Sequence, residues 1–141
     1  MTTFVIDTDV VVAACWSEDG AGREVVKRCL CGHYRSIIGA ALFAEYEDVF
    51  ARDAVFARSP LSRSERMEVF RGLLAVCRWT DVYYAWRPNL PDEADNHLIE
   101  LAVAGRAQAI VTRNVRDLAR GELRFPAIQI LQPEQCIKVF P

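Results

Sequence analysis

Short apolar runs alternate along this chain with stretches of helical periodicity, and the alternation predicts a βα repeat. Phe4, Val5 and Ile6 make Thr3 to Asp7 a buried strand, followed by a short helix from Asp9 to Cys15. A second helix runs from Gly22 to Cys31 and stops near Gly32, a residue suited to a helix end. Ser36 to Ile38 reads as a second strand feeding a long helix from about Ala40 to Ala57, where Leu42, Tyr46, Val49, Phe50 and Phe56 form an apolar stripe. Ser62 with Glu65 three residues on is a capping-box pattern. It opens a helix with Met67, Phe70, Leu74 and Cys77 on one face, expected to pack against the preceding helix as a hairpin. Thr80 to Ala85 is rich enough in β-branched and aromatic residues for a third strand. After Pro88 and Pro91 comes a helix from Asp92 to Ala104, with Leu98, Leu101 and Ala102 inward. Ala109 to Thr112 is a fourth strand, Asn114 to Arg120 a short helix, Ala127 to Leu131 a fifth strand, and Pro133 to Val139 a closing helix. Strands separated by helices imply an α/β fold, a mostly parallel five-stranded sheet covered by helices on both faces.

Composition narrows the class. At 141 residues, 52% hydrophobic and 26% charged, the chain suits one soluble domain over 1–141 rather than a disordered segment. No apolar run approaches the ~20 residues of a membrane span, and the N-terminus enters a strand without a basic lead, so a cytoplasmic location is expected. Cys15, Cys29, Cys31, Cys77 and Cys136 are an odd set without an export signal, so they read as reduced core or helix-face residues. His33 and His97 lie far apart in sequence and Cys29 and Cys31 are separated by one residue, which is not zinc-site spacing. The net charge of −2 does not advertise a nucleic-acid binder, but Lys27 and Lys138 are the only lysines. Nearly all positive charge is therefore arginine, the better bidentate partner for phosphate.

Acids recur where strands or their following helices reach the surface. Asp7 directly continues the first strand, and Asp9 follows it. Glu45 lies on the helix after the second strand, Asp95 near the start of the helix after the prolines, and Asp117 beyond the fourth strand. In a parallel sheet the carboxyl ends of the strands share one edge, where α/β folds bind ligands. Carboxylates gathered there repel by roughly 4 kcal/mol per pair at about 4 Å and an effective dielectric near 20, so a hard divalent cation is the expected neutraliser. Structural roles compete for some of them. Asp7 or Thr8 can cap the first helix, Asp9 can serve as a first-turn carboxylate, Asp92 is well placed as an N-cap, and Asp95 three residues later resembles its capping partner. Thr112 and Asn114 can orient a carboxylate or a metal-bound water, although Asn114 also suits a helix cap. Arg113, Arg116 and Arg120 recur three and four apart, either a solvated stripe or a grip on a phosphodiester backbone.

Over nearly its whole length the chain resembles the PIN domain, the fold of VapC-type ribonuclease toxins and related single-strand nucleases. FVIDTDVVVAA is similar to the family's opening strand and Asp, with Asp9 where Asn is commoner; AEYEDVF resembles its helix glutamate motif. PDEADNHLIELAVAGRAQAIVTRNVRDL resembles its third acid and fourth-strand signature, the most specific of the three matches. The resemblance implies a three-layer α/β/α fold with Asp7, Glu45 and Asp95 as metal-binding catalytic acids. Many relatives carry Asp where this chain has Asn114, so either Asp117 completes the site or three carboxylates suffice. It further implies Mg²⁺ or Mn²⁺, endonucleolytic cleavage of RNA, dimerisation and a cognate antitoxin, with no membrane partner. The two histidines are expected outside the acid cluster.

Two other functions stand beside this one. Asp7, Thr8, Asp9 and Val10 match the DxDx opening of a haloacid dehalogenase-type phosphatase, with Asp7 as nucleophile and Asp9 as general acid. That reading needs a lysine between its second and last motifs, and Lys27 is too early and Lys138 too late. The other is a degenerate PIN-like module that binds RNA or protein without cutting it.

Overall fold

A computed structural model of the chain describes residues 2–82, 96–116 and 127–141. In chain order the elements are β1 (Thr2–Ile6), α1 (Thr8–Trp16), α2 (Ala21–Leu30), β2 (Tyr34–Ile38), α3 (Ala40–Phe50), a 3₁₀ turn (Asp53–Phe56), α4 (Arg63–Val76), β3 (Arg78–Trp79), α5 (Asn96–Ala104), β4 (Ala109–Val111), β5 (Gln129–Leu131) and α6 (Pro133–Val139). The strands form one sheet in the order β3-β2-β1-β4-β5, every neighbouring pair parallel. This is the three-layer α/β/α architecture expected from the alternation.

β1 is the central strand, and its last three residues, Phe4, Val5 and Ile6, are wholly excluded from water. Such an unbroken apolar run suits a strand covered on both faces. Ile37, Ile38, Ile110 and Val111 on the flanking strands complete the sheet's core. Helix faces close over it through Val10, Val25, Leu42, Phe50, Leu73, Leu98 and Leu101; of the predicted stripe on α3, Leu42, Tyr46 and Phe50 are buried and Val49 is half-buried, and Leu98, Leu101 and Ala102 of α5 are buried as predicted.

The ends of α2 and α4 are written in sequence. Gly32 sits at φ +84°, and His33 N–H reaches Arg28 C=O at 2.8 Å while Gly32 N–H reaches Cys29 C=O at 3.2 Å. That is a Schellman stop. Ser62 and Glu65 form the reciprocal capping box, at 3.1 and 2.9 Å.

Three expectations need correction. The long helix from Ala40 to Ala57 breaks after Phe50: Arg52 turns extended, and a 3₁₀ turn returns Phe56 to the core beside Phe50. The break is stabilised by Arg66 of α4, buried to 4% exposure, which donates to Asp53 Oδ1 at 2.6 Å and lies 4.4 Å from the Phe56 ring centroid. Because Arg66 turns inward, Phe70 and Leu73 are the most buried apolar residues of α4, while Met67, Leu74 and Cys77 pack at its margin. α4 accordingly lies against α2 as well as α3, not as a simple hairpin. The third strand also comes earlier than Thr80 to Ala85: Arg78 and Trp79 pair with Ile37 and Ile38, and Thr80 adds only one bond, its N–H to Ile38 C=O at 2.8 Å. The predicted positions 83–85 lie outside the described residues. The five cysteines are free thiols, as expected, with Cys31 exposed and Cys15, Cys29 and Cys136 buried. Among the described residues no helix is long and apolar enough to cross a membrane.

One hydrogen bond ties a helix to the end of the central strand. Tyr46 of α3 is fully buried and its hydroxyl donates to Ile6 C=O. A Tyr46→Phe substitution keeps the packing and removes that bond, and we expect a loss of about 1 kcal/mol in urea unfolding with an unchanged m-value.

Candidate active site at the carboxyl edge of the sheet

Parallel pairing decides which residues meet. Ile6 is in register with Val111, so the next residues, Asp7 and Thr112, emerge side by side. The Asp7 N–H extends the ladder to Val111 C=O at 2.9 Å, and the Thr112 hydroxyl donates to Asp7 Oδ2 at 2.8 Å. Asp7 is also the N-cap of α1, its Oδ1 accepting from Thr8 N–H at 2.8 Å. Capping and a place in the site are therefore not alternatives for this residue.

α3 delivers the second acid. The Tyr46–Ile6 bond pins its second turn over the end of β1, and Glu45, the preceding residue, projects toward the start of α1. The Thr8 hydroxyl donates to Glu45 Oε1 at 2.5 Å, and His97 Nε2 of α5 lies 3.0 Å from Glu45 Oε2. His97 thus belongs to the site, against the expectation that both histidines lie outside it. Sequence distance concealed the contact, because Glu45 and His97 meet only when α3 and α5 follow neighbouring parallel strands to the same edge. The signal available was its position two residues after Asp95 in the sequence, within the helix predicted from Asp92 to Ala104. Thr8 was weighed as a cap, and its hydroxyl bond to Glu45 was not foreseen.

Asp9, in the first turn of α1, accepts from the Arg113 N–H at 3.3 Å through both carboxylate oxygens. Asn114 N–H donates to Thr112 Oγ1 at 3.0 Å, so Thr112 is both held and holding. Arg113 and Arg116 are exposed, but Arg113 lies in a bend before the helical turn at 115–116, so it does not share a helical face with Arg116. Asp92, Asp95, Asp117 and Arg120 lie outside the described residues.

The electrostatics follow from this crowding. Asp7 is only 8% exposed, and burial, then repulsion from Asp9 and Glu45, carries its carboxyl from 3.8 up to about 6 against the opposing bonds from Thr112 and Thr8. Glu45 moves the other way: the hydrogen bond from His97, aided by that from Thr8, lowers its pKa despite partial burial. A cation placed among these groups would stabilise the ionised form that burial now disfavours in Asp7. The donors are hard carboxylate oxygens, which suits Mg²⁺ or Mn²⁺ rather than zinc. Among the described residues no group of three or more His, Cys, Asp or Glu side chains is arranged to hold a metal. Asp7 and Glu45 are two carboxylates of the kind such an ion takes, and Thr8 bonds to both.

The family model of the PIN domain matches residues 3–116, a stretch that includes Asp7, Glu45 and Asp95 and ends one residue before Asp117. Among solved structures the chain is similar to one in a crystal structure of VapBC2 from Rickettsia felis bound to a DNA fragment from their promoter. The TM-score is 0.57 at 12% identity, covering 92% of this chain and 97% of that one, a likeness of fold. No curated protein matches the sequence.

The raised Asp7 carboxyl gives a stability test. Between about 3.8 and about 6 the folded state binds more protons than the unfolded state, so this group's contribution is greatest below 3.8 and is lost as the pH rises through about 6. At neutral pH the ionised, metal-free carboxylate costs at most roughly 3 kcal/mol. Asp7→Asn should therefore raise the melting temperature of metal-free protein at pH 7 and show little gain at pH 4. An equal gain at both pH values in a thermal scan would contradict the buried-charge account.

Proposed function

The chain belongs to the PIN domain family, and from that membership and the carboxylate edge we propose that it is a metal-dependent endoribonuclease hydrolysing phosphodiester bonds in RNA. The observation that carries this reading is the burial of Asp7 beside Asp9 and Glu45, an arrangement unfavourable by itself and relieved by a divalent cation. Asp7, Glu45 and Asp95 are the proposed metal-binding acids, with Asp117 as a fourth. A bound Mg²⁺ or Mn²⁺ supplies activation of a water for in-line attack and stabilisation of charge developing on the phosphate.

This chain's own residues organise that chemistry. Asp7 is held at both oxygens, by Thr8 N–H and the Thr112 hydroxyl, which fixes the carboxylate plane. Glu45 is likewise held by Thr8 and His97. Fixed acids spend no free energy on ordering when an ion or substrate arrives. His97 is occupied with Glu45, so it serves as a positioning group and not as one half of a histidine acid–base pair. Asp9, Asp92 and Asn114 support the edge, and Arg113, Arg116 and Arg120 contact the RNA backbone.

The biological setting proposed is a toxin–antitoxin module. The fold likeness to a VapBC2 structure supports an antitoxin as partner, and a homodimer and a cytoplasmic location accompany that reading. Family membership leaves the phosphatase alternative without support.

Purified protein incubated with mixed structured and single-stranded RNAs should cleave in Mg²⁺ or Mn²⁺. EDTA should abolish cleavage, and Asp7→Asn and Glu45→Gln should each lower the rate by at least about 100-fold. Cleavage that persists in EDTA would sink the metal-dependent mechanism; binding of RNA and metal without cleavage would leave the non-catalytic module.

A further inference from the structure

A cavity of about 380 Å³ opens beside the carboxylate edge, between the first turn of α3, the end of β3 and α5. It lies just past the carboxyl ends of β2 and β3, where Gly39 and Thr80 leave the sheet, the position at which parallel sheets bind ligands. Its size is within the roughly 300–1,000 Å³ of small-molecule sites. Leu42 and Leu101 give it an apolar floor, and Gly39 allows β2, Thr80 and Leu101 to meet closely beside it: a Cβ there would meet Thr80 C=O at 3.0 Å and Leu101 Cδ1 at 3.2 Å. His97 lines the cavity with the same side chain that reaches Glu45, so the cavity and the proposed catalytic acid share a wall.

Trp79 is the feature that points to an occupant. It ends β3 with 52% of its surface exposed, a large apolar area at a cavity mouth. The indole is fixed in orientation, since its Nε1–H donates to Asp81 Oδ1 at 2.9 Å and Phe43 meets its ring at 6.3 Å and 63°. A held, half-exposed indole is a stacking surface for a base that has left its own stack. Among the described lining residues the carboxylates are Asp81, which holds the indole, and Glu100, which when ionised only accepts hydrogen bonds. Adenine, cytosine and guanine each offer an exocyclic amine to such acceptors, whereas uracil's single base-edge donor, its ring N3–H, lies between two carbonyl oxygens that a carboxylate repels.

We propose that this cavity seats one unstacked nucleobase of the substrate strand, stacked on Trp79, which Asp81 holds in place, and selected by Glu100 for an exocyclic amino group. The proposal rests on the nuclease reading for its substrate class. It gives this site a preference for unpaired adenine, cytosine or guanine over uracil next to the cut.

The test is fluorescence anisotropy of the full chain with short labelled oligo(A), oligo(C) and oligo(U) at one fixed salt concentration, in EDTA so that no strand is cut. The parent should bind oligo(A) and oligo(C) at least about tenfold more tightly than oligo(U). Trp79→Ala should weaken binding of the preferred strands about tenfold or more, with Trp79→Phe retaining most of the affinity. Glu100→Gln should narrow the preference over oligo(U) while leaving circular dichroism unchanged; it carries the test on its own if Trp79→Ala fails to fold. Equal binding of all three strands, or unchanged binding and preference in folded Trp79→Ala and Glu100→Gln, overturns the proposal. So does a parent that binds none of them, which leaves the cavity to a protein segment. Cleavage in Mn²⁺ is scored separately: a parent with the predicted base preference but no cleavage retains the pocket and loses the nuclease reading. A parent that cleaves while both variants bind like it does the reverse.

Discussion

A carboxylate almost out of water at the end of the central strand sets the terms for the residues around it. Asp7 continues a run of three fully buried apolar residues, and parallel pairing allows it no other place than the sheet's carboxyl edge. Several favourable interactions support its charge: it caps α1 near the positive end of the helix dipole and accepts from Thr112 and from Thr8. They do not prevail. Its carboxyl still titrates near 6, because removal from water and the fields of Asp9 and Glu45 outweigh them. An edge built this way is held together by the apolar sheet beneath it and is electrostatically incomplete by itself.

The remaining parts of the edge follow from keeping these acids in place. Thr8 is the hinge between them, its N–H on Asp7 and its hydroxyl on Glu45. Thr112 faces Asp7 from β4 and accepts from Asn114, so the chain segment carrying Arg113 is tied back to the site. Glu45 depends in turn on Tyr46, whose hydroxyl on Ile6 fixes the helix against the strand. A break anywhere along this line would move a carboxylate without removing it. The opposite behaviour of the two acids fits their surroundings: Glu45, with two donors and more water, has its charge stabilised, while Asp7, with two donors and little water, does not.

The sheet was legible because its signals are local. Phe4 to Ile6, the Ser62–Glu65 box and the Gly32 stop each carry their meaning within four residues, and each has the predicted role. The break after Phe50 was not legible, since the apolar stripe continues through Phe56. What ends the helix is Arg66, many residues later, which makes Asp53 and Phe56 more stable as a separate turn. The third strand was placed too late for a related reason: nothing local marks Arg78 as a strand residue, but its guanidinium donates to Gly105 C=O at 2.9 Å and anchors the short edge strand. In the site, Asp7, Glu45 and Thr112 could be nominated from strand ends and helix faces. The contact between Glu45 and His97 could not, because nothing in either segment refers to the other.

That contact also joins the carboxylate edge to the cavity beside it. A parallel sheet collects its strand ends on one edge but does not align them in depth; β3 stops short and α5 rises past it, leaving a hollow beside the acids. His97 stands on the boundary, with one nitrogen on Glu45 and the other, Nδ1, buried with no hydrogen-bond partner among the described residues. Among the described residues its ring is oriented by the hydrogen bond to Glu45 alone. The cavity and the carboxylate edge therefore share one side chain, so a substitution at His97 alters the lining of the one and a hydrogen bond of the other.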